Sequence, residues 1–349
     1  MMKPLAVILV VLGLAACSPT ITLPGPSLGE AQLKPDAIIA TDGARLPLRV
    51  WLPSEGEPKA VIVALHGFND YSNAFALPSA YLTAHGVAVY AYDQRGFGEA
   101  PNVGEWAGAA AMSDDALTAL RLVRAKYPKT PLFLMGESMG GAVAILTMTR
   151  PEMQADNAPH VSGVILDAPA VWARRRMTFI ERSALWLSSH MIPWASLSGK
   201  GLNVWPSDNI AMLRGLSRDP LVIKETKVSA LDGLVDLMDE AYLAAPKLRG
   251  PVLLQYGERD EIVPPKPTYD VMTALKDQPG ITCAVYPKGY HMLLRDLHAE
   301  SVLTDIVAWI DRPNETLPSG GDHLAVIAIA HHHAEPIGPE DQATDQHAS

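Results

Sequence analysis

Ser138 stands between two glycines in Gly136-Glu137-Ser138-Met139-Gly140, with an apolar run before it and an Ala-rich apolar run after it. A serine hydroxyl is a poor nucleophile at neutral pH and attacks only when a neighbouring base takes its proton. His291 and His298 are candidates for that base. Asp260, just beyond one apolar run, and Asp167, at the end of another, are candidates for the acid that orients it. A Ser–His–Asp set performs acyl transfer without a cofactor, and no cofactor motif is present. The two cysteines, Cys17 and Cys283, can build neither a disulfide framework nor a Cys-based zinc site. His331-His332-His333 reads as a solvated tract rather than a metal site.

These groups need a scaffold. The chain has 349 residues, 48% hydrophobic, enough for a large core. Its net charge of −10 argues against nucleic acid as the main partner. Short apolar, β-branched runs fall at 46–52, 60–65, 87–92, 132–135, 163–166, 252–256 and 281–286. Several are apolar throughout, as strands covered on both faces are. Helical patterns lie between them at 72–84, 113–126, 139–150, 268–276 and 298–310, with Ser113-Asp114-Asp115 reading as a helix start. Alternating strands and helices predict an α/β fold: a mostly parallel sheet of eight strands with helices on both faces. A strand near 37–40 forms an antiparallel edge hairpin with 46–52.

In such a sheet, ligands sit at the carboxyl ends of the strands. Ser138 lies there, between the strand at 132–135 and the helix at 139–150. The Gly-x-Ser-x-Gly spacing predicts a tight turn that lifts the hydroxyl above the sheet, the nucleophile elbow. The helix N-terminus behind it favours the negative charge that develops during acyl transfer.

With these motifs in view the chain resembles the α/β-hydrolases of the monoacylglycerol lipase and lysophospholipase-like group, also described as the serine aminopeptidase-type hydrolase domain. The matching residues are His66-Gly67-Phe68, Asp93-Gln94-Arg95-Gly96-Phe97-Gly98, Gly136-Glu137-Ser138-Met139-Gly140-Gly141, Gly257-Glu258-Arg259-Asp260-Glu261-Ile262-Val263-Pro264 and Gly289-Tyr290-His291. One departure is visible: many members carry a Gly- or His-bearing loop where this chain has Phe68-Asn69-Asp70-Tyr71. The resemblance implies a serine hydrolase of carboxylic esters, with lysophospholipids or monoacylglycerols as substrates. A small-ester carboxylesterase or thioesterase is the alternative. A silent binding protein on the same fold is the alternative from another class.

The chain order in this fold is Ser, then acid, then His. Asp260 follows its strand through a short Gly257 turn and precedes Val263-Pro264, which favours it over Asp167. His291 follows the last strand, whereas His298 opens the final helix. The oxyanion donors expected are the backbone N–H groups of Met139 and Phe68. His66 and His85 read as structural, and Arg95 as a brace between loops.

Between the strands ending at 166 and starting at 252 lies more chain than one crossover helix needs. The excess, about 171–246, reads as a helical cap within a hydrolase domain of 36–312. Its Trp172, Trp186, Trp194 and Trp205 are expected mostly to pack the cap down, with an apolar lid for an acyl chain as the functional reading. Arg174-Arg175-Arg176 reads as a solvated face. At the N-terminus, residues 1–17 read as a signal peptide. Leu14-Ala15-Ala16-Cys17 resembles a bacterial lipobox, which implies lipidation of Cys17, a membrane anchor and a location in the bacterial cell envelope, with a secreted or periplasmic protein as the alternative. Residues 18–35 read as a flexible tether, and 313–349 as a disordered tail.

Overall fold

The computed structural model describes residues 21–201 and 203–332. The leader with Cys17, the first part of the tether and the tail beyond 332 lie outside the described residues.

The chain runs β1 (Gln32–Leu33), β2 (Ala37–Ile39), β3 (Arg45–Trp51), β4 (Ala60–Leu65), α1 (Ala76–Ala84), β5 (Val87–Tyr92), α2 (Ala109–Lys126), β6 (Leu132–Glu137), α3 (Met139–Thr149) and β7 (Gly163–Asp167). It continues through α4 (Phe179–Met191), β8 (Ser196–Ser198), α5 (Ile210–Arg218), β9 (Glu225–Lys227), α6 (Val228–Ala244), β10 (Val252–Gly257), α7 (Pro265–Leu275), β11 (Ile281–Tyr286), α8 (Ala299–Asp311) and α9 (Gly321–His331). One sheet has the order β1-β2-β3-β5-β4-β6-β7-β10-β11. Pairing is parallel from β5 to β11 and antiparallel from β1 to β5. It has nine strands rather than the predicted eight; the two-residue β1 is the addition.

Strands β4, β5, β6 and β10 are buried along their whole length, since helices cover both faces. On one face α2, α3 and α6 pack a core that includes Trp106, Val143, Leu120 and Tyr242. On the other, α1 and α8 close over Phe75, Leu82, Ile306 and Trp309.

Several expectations change. Helix α2 starts at Ala109, after Gly108 at φ 89°, not at Ser113. Ser113 instead hydrogen-bonds Thr147 on α3, and Asp115 binds Arg95. Arg95 spans Asp42 and Asp115 at 2.6 Å each, and so does brace its loops. Helix α6 was placed in the cap, yet Leu237, Ala241 and Tyr242 are fully buried in the main core. It is the crossover helix, and the projecting part of the insertion precedes it. That part also holds a two-stranded β8–β9 ribbon. Arg174-Arg175-Arg176 is not a solvated face. Arg174 pairs with Asp232, Asp236 and Asp239 on α6, and Arg176 with Asp270 at 2.7 Å.

The ends differ too. Of the segment 18–35 predicted as a tether, the described part lies along the body, with Thr22 donating to Trp106 O and Leu28 to Thr41 O. Of the segment predicted as a disordered tail, residues 321–331 form α9. This helix packs beside β11, burying Ala325 and Ile329, and His332 stacks on Tyr269 with ring centroids 4.3 Å apart. Ser319 anchors the approach by hydrogen bonds to Asp305. Ile329→Ala is therefore expected to lower unfolding stability by about 2 kcal/mol in urea titration. An unchanged midpoint would mean that α9 does not cover the sheet edge.

Candidate active site

Strand β6 ends at Glu137 and α3 begins at Met139, so Ser138 alone makes the turn. Its backbone lies at φ 53°, ψ −116°, a region that non-glycine residues rarely adopt. The turn is tight because strand and helix nearly touch. A Cβ on Gly136 would meet the Gly140 carbonyl, and one on Gly140 the Leu65 carbonyl. The Ser138 N–H donates to Asp167 O at 2.9 Å, which ties the elbow to β7.

The two residues predicted as acid and base, Asp260 and His291, arrive on neighbouring loops. Asp260 follows β10, and its Oδ1 accepts the Ile262 and Val263 N–H groups at 2.7 and 2.9 Å. That fixes the carboxylate with Oδ2 pointing away from its own loop. His291 follows β11. A Cβ on Gly257 would strike the Gly289 and Tyr290 carbonyls, so only glycine lets the two loops pass this closely. The result is a hydrogen-bonded chain. His291 Nδ1 donates to Asp260 Oδ2 at 2.7 Å, and Ser138 Oγ donates to His291 Nε2 at 2.9 Å. All three side chains are nearly closed to solvent.

Burial pushes the His291 imidazole toward its neutral form. The Asp260 carboxylate, by charge and hydrogen bond, outweighs it and leaves the group above the ordinary histidine value. Asp167, the alternative candidate, makes no hydrogen bond to His291. Its two oxygens are buried without a hydrogen-bond partner among the described residues, and burial pushes its carboxyl well above the ordinary carboxylate value. His298 sits at the start of α8 without capping it. His66 is fully buried and structural: Nε2 accepts the Gln94 N–H at 3.0 Å, and burial lowers its value. Burial drives the Cys283 thiol up to about 12, which leaves it without nucleophilic thiolate at neutral pH.

The loop after β4 runs beside the serine, where a Cβ on Gly67 would lie 3.4 Å from Ser138 Cβ. The Phe68 and Met139 N–H groups donate no hydrogen bond among the described residues. Asp93 holds this loop from behind, accepting the Ser72 N–H at 2.9 Å. The loop's departure from the family pattern serves the cap. Asn69, at φ 65°, bonds Thr226 and Ile223, and the Tyr71 hydroxyl donates to Asp219 at 2.7 Å. A second cap segment grips the His291 loop, with the Met292 N–H on Pro206 O at 2.9 Å and Ser207 on Asp296 at 2.5 Å.

Sequence reasoning missed Arg295 and Asp296 altogether and gave Asp70 and Glu137 no role. A charged residue inside the otherwise apolar β6 was the available signal that a buried countercharge exists.

Comparison with known proteins agrees with this architecture. The family model described as serine aminopeptidase, S33, matches residues 56–298. The chain belongs to this family. Human monoglyceride lipase is 29% identical over 295 residues, covering 80% of this chain and 91% of that one. The rat monoglyceride lipase is 30% identical, covering 78% and 89%. The monoacylglycerol lipase of Mycolicibacterium smegmatis is 24% identical, covering 77% and 93%. Among solved structures, a soluble variant of the Saccharomyces cerevisiae monoglyceride lipase matches with a TM-score of 0.66 at 20% identity, covering 84% of this chain and 100% of that one. At that identity the likeness bears on the fold, an α/β-hydrolase fold. As a member of this monoglyceride-lipase-like family the chain is a carboxylic ester hydrolase.

The imidazole makes a testable site property. In wild type, the His291 resonance should titrate above about 6.5. Asp260→Asn removes the group that holds the proton and leaves burial in place, so the titration should move to lower pH. The raised value also adds stability below the ordinary histidine range, lost as pH rises through the folded value. Histidine-selective NMR reads the titration directly, and an unmoved resonance in Asp260→Asn would contradict the assignment of Asp260.

Proposed function

We propose that this protein cleaves long-chain monoacyl lipids, monoacylglycerols or lysophospholipids, through an acyl-enzyme on Ser138. The observation that carries the reading is the hydrogen-bonded chain from Ser138 through His291 to Asp260 at a strand–helix elbow. Ser138 Oγ attacks the ester carbonyl carbon as its proton passes to His291 Nε2. Asp260 keeps the proton on Nδ1 and stabilises the imidazolium. The carbonyl oxygen becomes an oxyanion held by the Phe68 and Met139 N–H groups. Collapse expels the alkoxide, which takes the proton from Nε2. Water then attacks the acyl-enzyme by the same route in reverse and frees the fatty acid.

The names of the relatives support a monoacyl lipid substrate. So does the cap surface. Its aromatics were expected mostly to pack inward; Trp172 does so in part, but Phe179 and Ile180 on α4 are 79% and 78% exposed, and Trp186, Trp194 and Trp205 are each more than half exposed. Large apolar side chains exposed in this number suit an enzyme that draws substrate from a lipid surface. Leu14-Ala15-Ala16-Cys17 supports a further proposal, that Cys17 is lipidated and anchors the enzyme to a membrane of the bacterial cell envelope, with a secreted or periplasmic protein as the alternative. Two acyl chains suffice for stable anchoring.

Ser138→Ala should abolish ester hydrolysis, and Asp260→Asn should lower kcat by about three to four orders of magnitude. If Asp167→Asn does so instead, Asp167 is the acid. Each CH₂ buried contributes about 0.8 kcal/mol, so kcat/KM should rise severalfold or more from acetyl to decanoyl esters. A flat or falling series would favour the small-ester carboxylesterase or thioesterase. Incorporation of labelled palmitate by the wild type but not by Cys17→Ala tests the anchor, and an unlabelled wild type would remove it.

A further inference from the structure

Arg295 lies four residues after His291 and is 4% exposed. Its Nη1 donates to Asp70 Oδ2 at 2.8 Å, and its Nη2 to Glu137 Oε1 at 2.6 Å. Both carboxylates are themselves buried. Three buried charges are a poor way to gain stability, since apolar side chains of similar volume often serve as well or better. What an ionic triplet adds is direction. The planar guanidinium fork fixes two acceptors at set angles, as an ammonium or an apolar group does not.

The three loops joined here are those of the site. Glu137 immediately precedes Ser138. Asp70 lies two residues beyond Phe68. Arg295 itself belongs to the loop of His291. One guanidinium therefore ties together the elements carrying the nucleophile, the second oxyanion donor and the base. Its charge matters as well. The imidazole faces Asp260 through Nδ1 and also feels Glu137 and Arg295, with Asp167 and Asp296 the further carboxyls in the same buried cluster. Burial pushes Asp167 well above the ordinary carboxylate value. Asp296, bonded to Ser207 and Tyr290, is pushed up to about 6, chiefly by burial. Asp260 and Glu137 favour the imidazolium, and Arg295 opposes it.

We propose that Arg295 is a positioning residue of the active site: its two ion pairs lock the elbow and the loop of Phe68 to the His291 loop, and its positive charge opposes that of Glu137 beside the imidazole. The proposal rests on Ser138 and His291 acting as described above.

The test measures the His291 titration by NMR, the thermal midpoint, kcat and KM in Arg295→Gln, Arg295→Lys, Glu137→Gln and the double variant Glu137→Gln/Arg295→Gln. Arg295→Gln should move the titration to higher pH, by about threefold or more in proton concentration, and Glu137→Gln should move it to lower pH. The double variant should return toward wild type. In Arg295→Gln, kcat should fall about 10- to 100-fold with KM changed less than about threefold. Arg295→Lys keeps the charge but loses the fork, so the titration should hold while kcat stays below wild type. A lowered midpoint with no movement of the titration in any variant would make Arg295 merely structural and overturn the proposal. If Arg295→Gln does not fold, Glu137→Gln and Arg295→Lys decide alone: a titration unmoved in Glu137→Gln, or full kcat in Arg295→Lys, overturns it. The titration is read without turnover, so a failure of the Ser138 mechanism, seen as hydrolysis surviving Ser138→Ala, is distinguishable from a failure of this proposal.

Discussion

A single residue turns the chain from strand to helix, and the turn forces Ser138 to φ 53°, ψ −116°. A conformation of this kind costs on the order of 1–3 kcal/mol and persists only where its surroundings over-determine it. Here they do. The N–H of Ser138 is held by Asp167 O, and its carbonyl accepts from Ala142 and Ala170. Strand β6 is buried on both faces, and glycine at 136 and 140 removes the side chains that would push strand and helix apart. The strain is thus carried by the central sheet, the most heavily buried part of the molecule. Its return is chemical: a hydroxyl that stands clear of the sheet, with a helix N-terminus behind it.

The remaining site groups are placed relative to that point by parallel strand order. β6, β7, β10 and β11 are adjacent and end on the same side, so residues at 138, 260 and 291 converge although far apart in sequence. The cap is fastened to the loops on either side of the serine, to Asn69 and Tyr71 on one and to the segment after His291 on the other. Movement of these segments would therefore be felt by both the Phe68–Tyr71 loop and the His291 loop. The apolar face of α4 looks outward from this arrangement.

How much of this was legible depended on how local the cause was. Strands at 60–65, 87–92 and 281–286 were read residue for residue, because apolar, β-branched runs of that length between turn signals leave little choice. The convergence of Ser138, Asp260 and His291 followed from chain order. The start of α2 was misread because Ser113 and Asp115, which look like a cap, serve tertiary partners at Thr147 and Arg95. Helix α9 was missed because few of its side chains are buried, so its pattern is faint. Arg174 and Arg176 looked solvated because their carboxylate partners lie tens of residues away. Arg295 could not be found at all: its partners are 225 and 158 residues distant, and no local pattern marks a buried arginine in a loop.

The central claim is that the strained elbow makes Ser138, and no other side chain, the nucleophile. Reaction of the protein with an alkyl fluorophosphonate, followed by peptide mass spectrometry, tests it most directly. The account predicts one adduct per chain, on the peptide containing Ser138, with its formation suppressed when His291 is protonated at low pH. An adduct on another residue, or an intact unlabelled Ser138 in protein that still hydrolyses esters, would contradict it.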